Sequence, residues 1–345
     1  MTESSGIFGF RRVGLAGVGV EGGVTLVGPT FVERVVVEAS LAAGGVPHPY
    51  VLTVSGVSWS AGAFGPRADG LSSHYVEVTA SSNLQAIGLT SDIVRHTANT
   101  LTTVDNWSAL LRGGEKIVIR PHKTLAGVFG GANESGLGAG EPTTADIISV
   151  LVEGTSGSFT SYYYRSGSSL GGTGWRSSAD PFTDRSGMPL RTGHGLMVKR
   201  RGNESMELVL SGYVKTGLIR RPLPTGYALV DALAPVTDQR ASAPLAGPAF
   251  TLGGVEGSGV IPSRLGGTLS SGTPQTADLV SMAGTVASFY LAAPSGLSAG
   301  GWRLTSNPIV DQKNTIIPPA AAMLIQNRGS AKQWSRPQPF TSTTP

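Results

Sequence analysis

Cysteine is absent from the chain. That excludes disulfides, thiolate metal ligands and cysteine nucleophiles. Charge is the second shortage. Asp, Glu, Lys and Arg make up 14% of the residues, against about 25% in an ordinary soluble domain. Lysine is scarcest, six against twenty arginines. Interfaces favour Arg and deplete Lys and Glu, so this composition fits a surface covered by copies of itself. Long apolar runs are also missing. Val35–Val37 and Pro318–Ile325 fall well short of the roughly 20 residues needed to span a bilayer. The net charge is +4, but the basic residues are dispersed. Lys199-Arg200-Arg201 and Arg220-Arg221 are the tightest clusters, and no basic stripe interleaves with aromatics. Nucleic acid is therefore not an expected partner.

What the chain has in excess is glycine, 49 of 345 residues, about twice the usual share of roughly 7%. Between the glycines lie short β-branched or alternating runs: Val24–Val27, Glu33–Leu41, Tyr50–Trp59, His74–Thr79, Lys116–Arg120, Asp146–Val152, Ser161–Arg165, Gly195–Arg201, Met206–Val214, Gly226–Val230, Ala277–Met282, Ser288–Ala292 and Ala322–Asn327. Turn residues separate them, as in antiparallel sandwiches and barrels. The expected class is all-β: tandem antiparallel β-sandwich or barrel-like repeats with only short helices, at Asn106–Arg112 and Lys123–Phe129. One stretch, Gly17-Val-Gly-Val-Glu-Gly22, fits a dinucleotide fingerprint by its letters. That fingerprint needs a strand before it and a helix after it. Here VTLVGPTF follows, strand-like and broken by Pro29. No cofactor is expected; the glycines are read as turns, bulges and close approaches.

Repetition organises the second half. Trp175–Gly202 aligns without gaps on Trp302–Gly329 at an offset of 127, with Trp175/Trp302, Arg176/Arg303, Pro181/Pro308, Asp184/Asp311, Arg201/Arg328 and Gly202/Gly329 identical. Upstream, ADIISV matches ADLVSM and SYYYR matches SFYLA. Three units are expected: an N-terminal β domain at 1–140, with a degenerate copy in HYVEV and Leu110–Arg120, and repeats at 141–245 and 246–345. Tyr163, Trp175, Tyr290 and Trp302 are the expected repeat core, since large aromatics at matched positions fix strand stacking. Phe8, Phe10, Val13, Leu15, Val18 and Val20 give the Gly-rich front segment apolar bulk without a helical period. They are expected to lie against a neighbouring subunit by strand addition, or else to form the first strand of their own domain.

The order of GFRRV, TLVGPTFVERVV, HYVEV, GEKIVIRPHKTLAGVFG and ADIISV…YYYR…GWR…GLMVKRRG…LSGYV resembles a family of Gly-rich exported proteins, without an assigned activity, that occurs as many paralogues in Verrucomicrobia. The resemblance covers most of the chain and implies export and a β-rich fold; it implies no catalytic residue. MTESSGIFGF has neither a basic n-region nor an apolar h-region. An extracellular or cell-surface location is expected if the numbering begins after a removed signal.

No constellation in the sequence carries an evident chemistry. His48, His74, His96, His122 and His194 are too far apart for a local metal pair. His96 with Asp92 and His122 with Glu115 are the pairs that could meet in space. No G-x-S-x-G elbow stands between a strand and a helix. Asp146 and Asp184 recur as Asp278 and Asp311, as turn-capping residues would. The expected function is a non-enzymatic structural subunit that self-assembles into an extracellular filament, tube or surface layer. The alternatives are a carbohydrate-binding surface module using Tyr162–Tyr164 and Trp175 on a surface glycan, and a virion structural protein.

Overall fold

A computed structural model describes residues 7–60, 62–167, 172–231, 252, 269–282, 287–295, 300–318 and 320–336. Twenty-two strands and one short helix, α1 (Leu125–Phe129), make up its regular structure apart from one 3-10 turn. The protein is all-β, as its turn-punctuated runs predict.

Two homologous sandwiches carry the architecture. In the first, β1 (Phe8–Leu15) and β2 (Val24–Val27) come from the front of the chain. The next six strands, β3 (Val37–Leu41), β4 (Val51–Ser55), β5 (His74–Ala80), β6 (Thr90–His96), β7 (Thr100–Thr103) and β8 (Lys116–Pro121), close into a separate barrel in the order β3-β4-β7-β6-β5-β8. The chain then returns through β9 (Lys123–Thr124) and α1 to β10 (Ile147–Leu151), β11 (Phe159–Arg165), β12 (Gly174–Ser177), β13 (Pro189–Leu190), β14 (Leu196–Lys199) and β15 (Met206–Tyr213). The first sandwich is the sheet β12-β11-β10-β14-β2 with the two-stranded ribbon β1-β15. The second uses β16 (Ile219–Leu223), β17 (Gly226–Asp231), β18 (Leu279–Met282), β19 (Ser288–Ala292), β20 (Gly301–Leu304), β21 (Ala322–Asn327) and β22 (Lys332–Arg336). Its sheet is β20-β19-β18-β21-β17 and its ribbon β16-β22, the same order strand for strand.

This pairing corrects the expected boundaries. Residues 1–140 do not form one unit: β1 and β2 belong with β10–β15, and the barrel is inserted between them. Likewise β16 and β17 belong with β18–β22, although they precede residue 246. Nor is the barrel a third copy. HYVEV and KIVIR pair as its neighbouring strands β5 and β8, in a closed order with no counterpart in the sandwiches. Val76, Val78, Ile93, Leu101, Ile117 and Ile119 fill its interior with Trp107. Trp107 lies in a turn rather than the expected helix. The alternate residue Glu77 points out of the barrel yet is buried, paired with Lys215, which follows β15, and with Arg120 at 3.6 Å. Such an enclosed pair adds little net stability.

The repeat frame is reproduced bond by bond. Trp175 and Trp302 are both buried, and their carbonyls accept from the backbone N–H of Arg185 and of Gln312, each at 2.9 Å. Asp146 accepts from the N–H of Gly138 and Arg201; Asp278 accepts from Ser270 and Arg328. Leu125 N–H bonds to Met188 O and Leu252 N–H to Thr315 O, again 127 residues on. Tyr163 and Tyr290 are buried on the other face of their sheets from the tryptophans.

The sandwiches meet about a pseudo-two-fold axis. Val27 bridges to Ala321, and Val230, its counterpart, bridges to His194, the counterpart of Ala321. Gly28 N–H donates to Ala320 O at 2.7 Å, and Asp231 N–H to Gly193 O at 2.9 Å. The same surface of each repeat is thus used against the other, the isologous geometry of a symmetric dimer. Near the axis Gly195 faces Ala322, its own repeat equivalent. A Cβ on Gly195 would lie 2.3 Å from that of Ala322, so only one of the two positions has room for a side chain.

Candidate functional site

The front segment is placed within its own chain. All eight residues of β1 pair antiparallel with β15, from Phe8 opposite Tyr213 to Leu15 opposite Met206. Leu15 is buried and Val13 packs on the same core. Strand addition to a neighbour is therefore replaced by pairing in cis, because β15 supplies a full-length partner whose inward residues, Leu208 and Leu210, complete that core. Phe8, Phe10, Val18 and Val20 remain exposed. Phe8 packs edge-on against Tyr213 with 5.4 Å between ring centres, and the solvated pair Arg12–Glu207 flanks them. The Gly17–Gly22 stretch is the turn between β1 and β2. A Cβ on Gly17 would sit 2.1 Å from Asn203 O, a backbone approach that only glycine permits.

The repeated turn after the Trp-Arg strand is the second notable surface. In the first repeat Phe182 stands 68% exposed; in the second its equivalent, Ile309, is 85% exposed and Val310 49%. Neither turn is loose. Asp180 Oδ1 accepts from the N–H of Phe182 and Thr183, both at 3.2 Å; Asn307 Oδ1 accepts from Ile309 at 3.3 Å. Arg176 Nη1 lies 3.4 Å from Asp184, and Arg303 Nη1 lies 3.2 Å from Asp311. The repeated Arg–Asp pair and the Asp or Asn cap thus frame a turn that leaves bulky apolar side chains in water, Phe182 in one repeat and Ile309 and Val310 in the other. The recurring Asp and Pro are legible in the sequence; the exposure of the residue between them is not.

A third feature was not foreseen. Where the barrel caps the end of the first sandwich, a cavity of about 460 Å³ opens, lined by Asp92 and Val104 from the barrel and by Glu153, Tyr162, Arg191 and His194 from the sandwich, among others. Asp92 is the junction. His122 Nε2 lies 3.0 Å from its Oδ1 and Arg191 Nη2 lies 2.7 Å from its Oδ2. Burial acts to raise the Asp92 carboxyl, but His122 and Arg191 outweigh it and hold it below its usual value. Glu153 is paired with Arg221 and lies 3.6 Å from His194 Nδ1. Burial holds the His194 imidazole well below its usual range, and Arg221, Arg191 and His122 act in the same direction. His194 is therefore neutral at pH 7.

The expected pairs of titratable groups are rearranged. Asp92 meets His122 rather than His96, whose Nε2 accepts from Phe64 N–H. Glu115 instead caps a turn, accepting from the N–H of Arg112 and Gly113. No group of three or more metal-ligating side chains comes together among the described residues. The aromatic face expected to stack on a sugar is also buried: Tyr163 and Trp175 are wholly enclosed and Tyr164 is packed against Trp175. Only Tyr162 reaches the cavity. No helix among the described residues is long and apolar enough to cross a membrane. No family model, curated protein or solved structure matches the chain.

Proposed function

We propose that this protein is a non-enzymatic structural subunit that assembles with copies of itself into an extracellular filament, tube or surface layer. The observation that carries the reading is the duplicated apolar turn, Phe182 in one repeat and Ile309 in the other, each exposed and each held by the same hydrogen-bonded frame. Large apolar side chains presented by a rigid platform act as anchors for a partner. Because the repeats are related by a pseudo-two-fold, one subunit offers two such anchors and engages two neighbours. A contact made by an anchor on a different surface of the next copy is heterologous, and such contacts propagate unless they close into a ring. The shortage of Lys and overall charge supports the same partner, a second copy of this chain, and the resemblance to exported Gly-rich proteins supports the location. Negative-stain microscopy of native material, with sedimentation across a concentration series, tests the reading. Ordered polymers or concentration-dependent growth are expected; single particles of one chain at every concentration would overturn it.

A further inference from the structure

We propose that the cavity between the barrel and the first sandwich is a binding site for a neutral polyhydroxylated molecule, a mono- or disaccharide or the terminal unit of a longer glycan. Its volume of about 460 Å³ lies within the range of about 300–1,000 Å³ for small-molecule sites. Its lining combines two chemistries: Val104, Val150, Leu190 and Leu196 supply apolar surface, and Asp92, Glu153, Arg191 and His194 supply polar groups.

Charge selects among ligand classes. Two carboxylates and one arginine line the space, and each carboxylate already has a guanidinium partner, Arg191 for Asp92 and Arg221 for Glu153. A free anion would face both carboxylates; a free cation would face Arg191. Hydroxyl groups both donate and accept, so a row of them meets fixed acceptors and donors without importing charge. The C–H face of a sugar ring then packs on the apolar lining residues.

Comparison of the repeats separates this role from a structural one. At the positions of Tyr162, Arg191 and His194 the second repeat has Phe289, Pro318 and Ala321, while Leu190 stays apolar as Ile317, both buried. The sandwich frame is the same without these polar groups. They occur where the barrel meets the sandwich end, and there they line a cleft.

The test is binding by the full-length chain, read by calorimetry and saturation-transfer NMR with glucose, galactose, mannose, maltose and cellobiose. Glucuronate and glucosamine serve as charged analogues. At least one neutral sugar is expected to bind with a dissociation constant of about 1 mM or tighter, and the charged analogues at least tenfold more weakly. Val104→Trp changes a half-exposed residue on the barrel side and should block the cavity. Tyr162→Phe/His194→Ala installs residue types that the second repeat already accommodates. Both variants should remain folded at pH 7, with cooperative melting transitions, and lose binding at least tenfold. A hexasaccharide that binds as well as its disaccharide assigns the site to chain ends; one that does not assigns it to free sugars. No binding by any neutral sugar, tighter binding of glucuronate or glucosamine, or binding unchanged in both variants would overturn the proposal.

Discussion

The two sandwiches share one frame and differ at one end. Ser149 and Ser161 hydroxyls meet at 3.0 Å in the first and Ser281 and Ser288 at 2.8 Å in the second. The Trp, Arg and Asp positions match in their bonding. At the barrel-facing end, by contrast, His194, Arg191 and Tyr162 stand where the second repeat has Ala321, Pro318 and Phe289. The comparison separates what the fold requires from what has been added to it. The buried indole and the carboxylate that ties two loops together are architecture. The exposed turn residue and the polar cavity wall are not needed by any sandwich.

The largest effect that could break the equivalence comes from the core. Trp175→Ala and Trp302→Ala should each cost about 3–5 kcal/mol, the usual penalty for emptying a buried indole site. Urea denaturation of each variant checks it; a large loss in one repeat and none in the other would show that the two positions are not alike. The axis comes next. Gly195→Ala places a methyl against Ala322 and should cost about 1–3 kcal/mol through overpacking. Adding Ala322→Gly should return most of that loss, because the exchange moves one Cβ across the pseudo-two-fold. A double variant no more stable than Gly195→Ala would contradict the pseudo-symmetric contact.

Acid sharpens the comparison further. His194 is held neutral when folded, so the unfolded chain binds a proton that the folded chain refuses. Its contribution to stability is complete above the ordinary histidine value of 6.5 and is lost as pH falls below it, at up to about 1.4 kcal/mol per pH unit. His74, also lowered by burial, adds in the same direction. Asp92 acts in a lower window, its stabilisation being lost only as pH falls below 3.8. Melting temperatures between pH 7 and pH 5 should decline less steeply in His194→Gln than in the wild type. An equal slope would place the titration elsewhere.

How much of this could be read in advance follows from where the determinants lie. Val24–Val27, Ser288–Ala292 and Ala322–Asn327 form the strands their β-branched and apolar residues predict. A strand in the front segment, Phe8–Leu15, is expected from the sequence, but its pairing with β15 is not. The missed strands are those whose composition hides the pattern: β16 has Arg220, Arg221 and Pro222, with Arg221 enclosed by pairing to Glu153. Polar Thr100–Thr103 is a strand because it faces the barrel interior through Leu101 and through Thr103, whose hydroxyl accepts from Trp107 Nε1 at 2.8 Å. The repeat was legible from matched Trp, Arg and Asp. The insertion of the barrel was not, because β1 and β2 find their partners more than 160 residues away. The cavity was hidden for the same reason. Arg191 and His194 are neighbours in sequence, but Asp92 and Glu153 are remote from them and from each other, and Asp92 joins them only once the barrel is seated.

Phe182→Ser/Ile309→Ser removes both exposed turn anchors on which the proposed assembly depends. Both residues are solvated in the single chain, so the double variant should unfold within about 0.5 kcal/mol of the wild type. Negative-stain micrographs and sedimentation of the two proteins at matched concentration decide the matter. Ordered assemblies from the wild type and single, fully folded particles from the double variant are the predicted result; a variant that assembles as well as the wild type would contradict it.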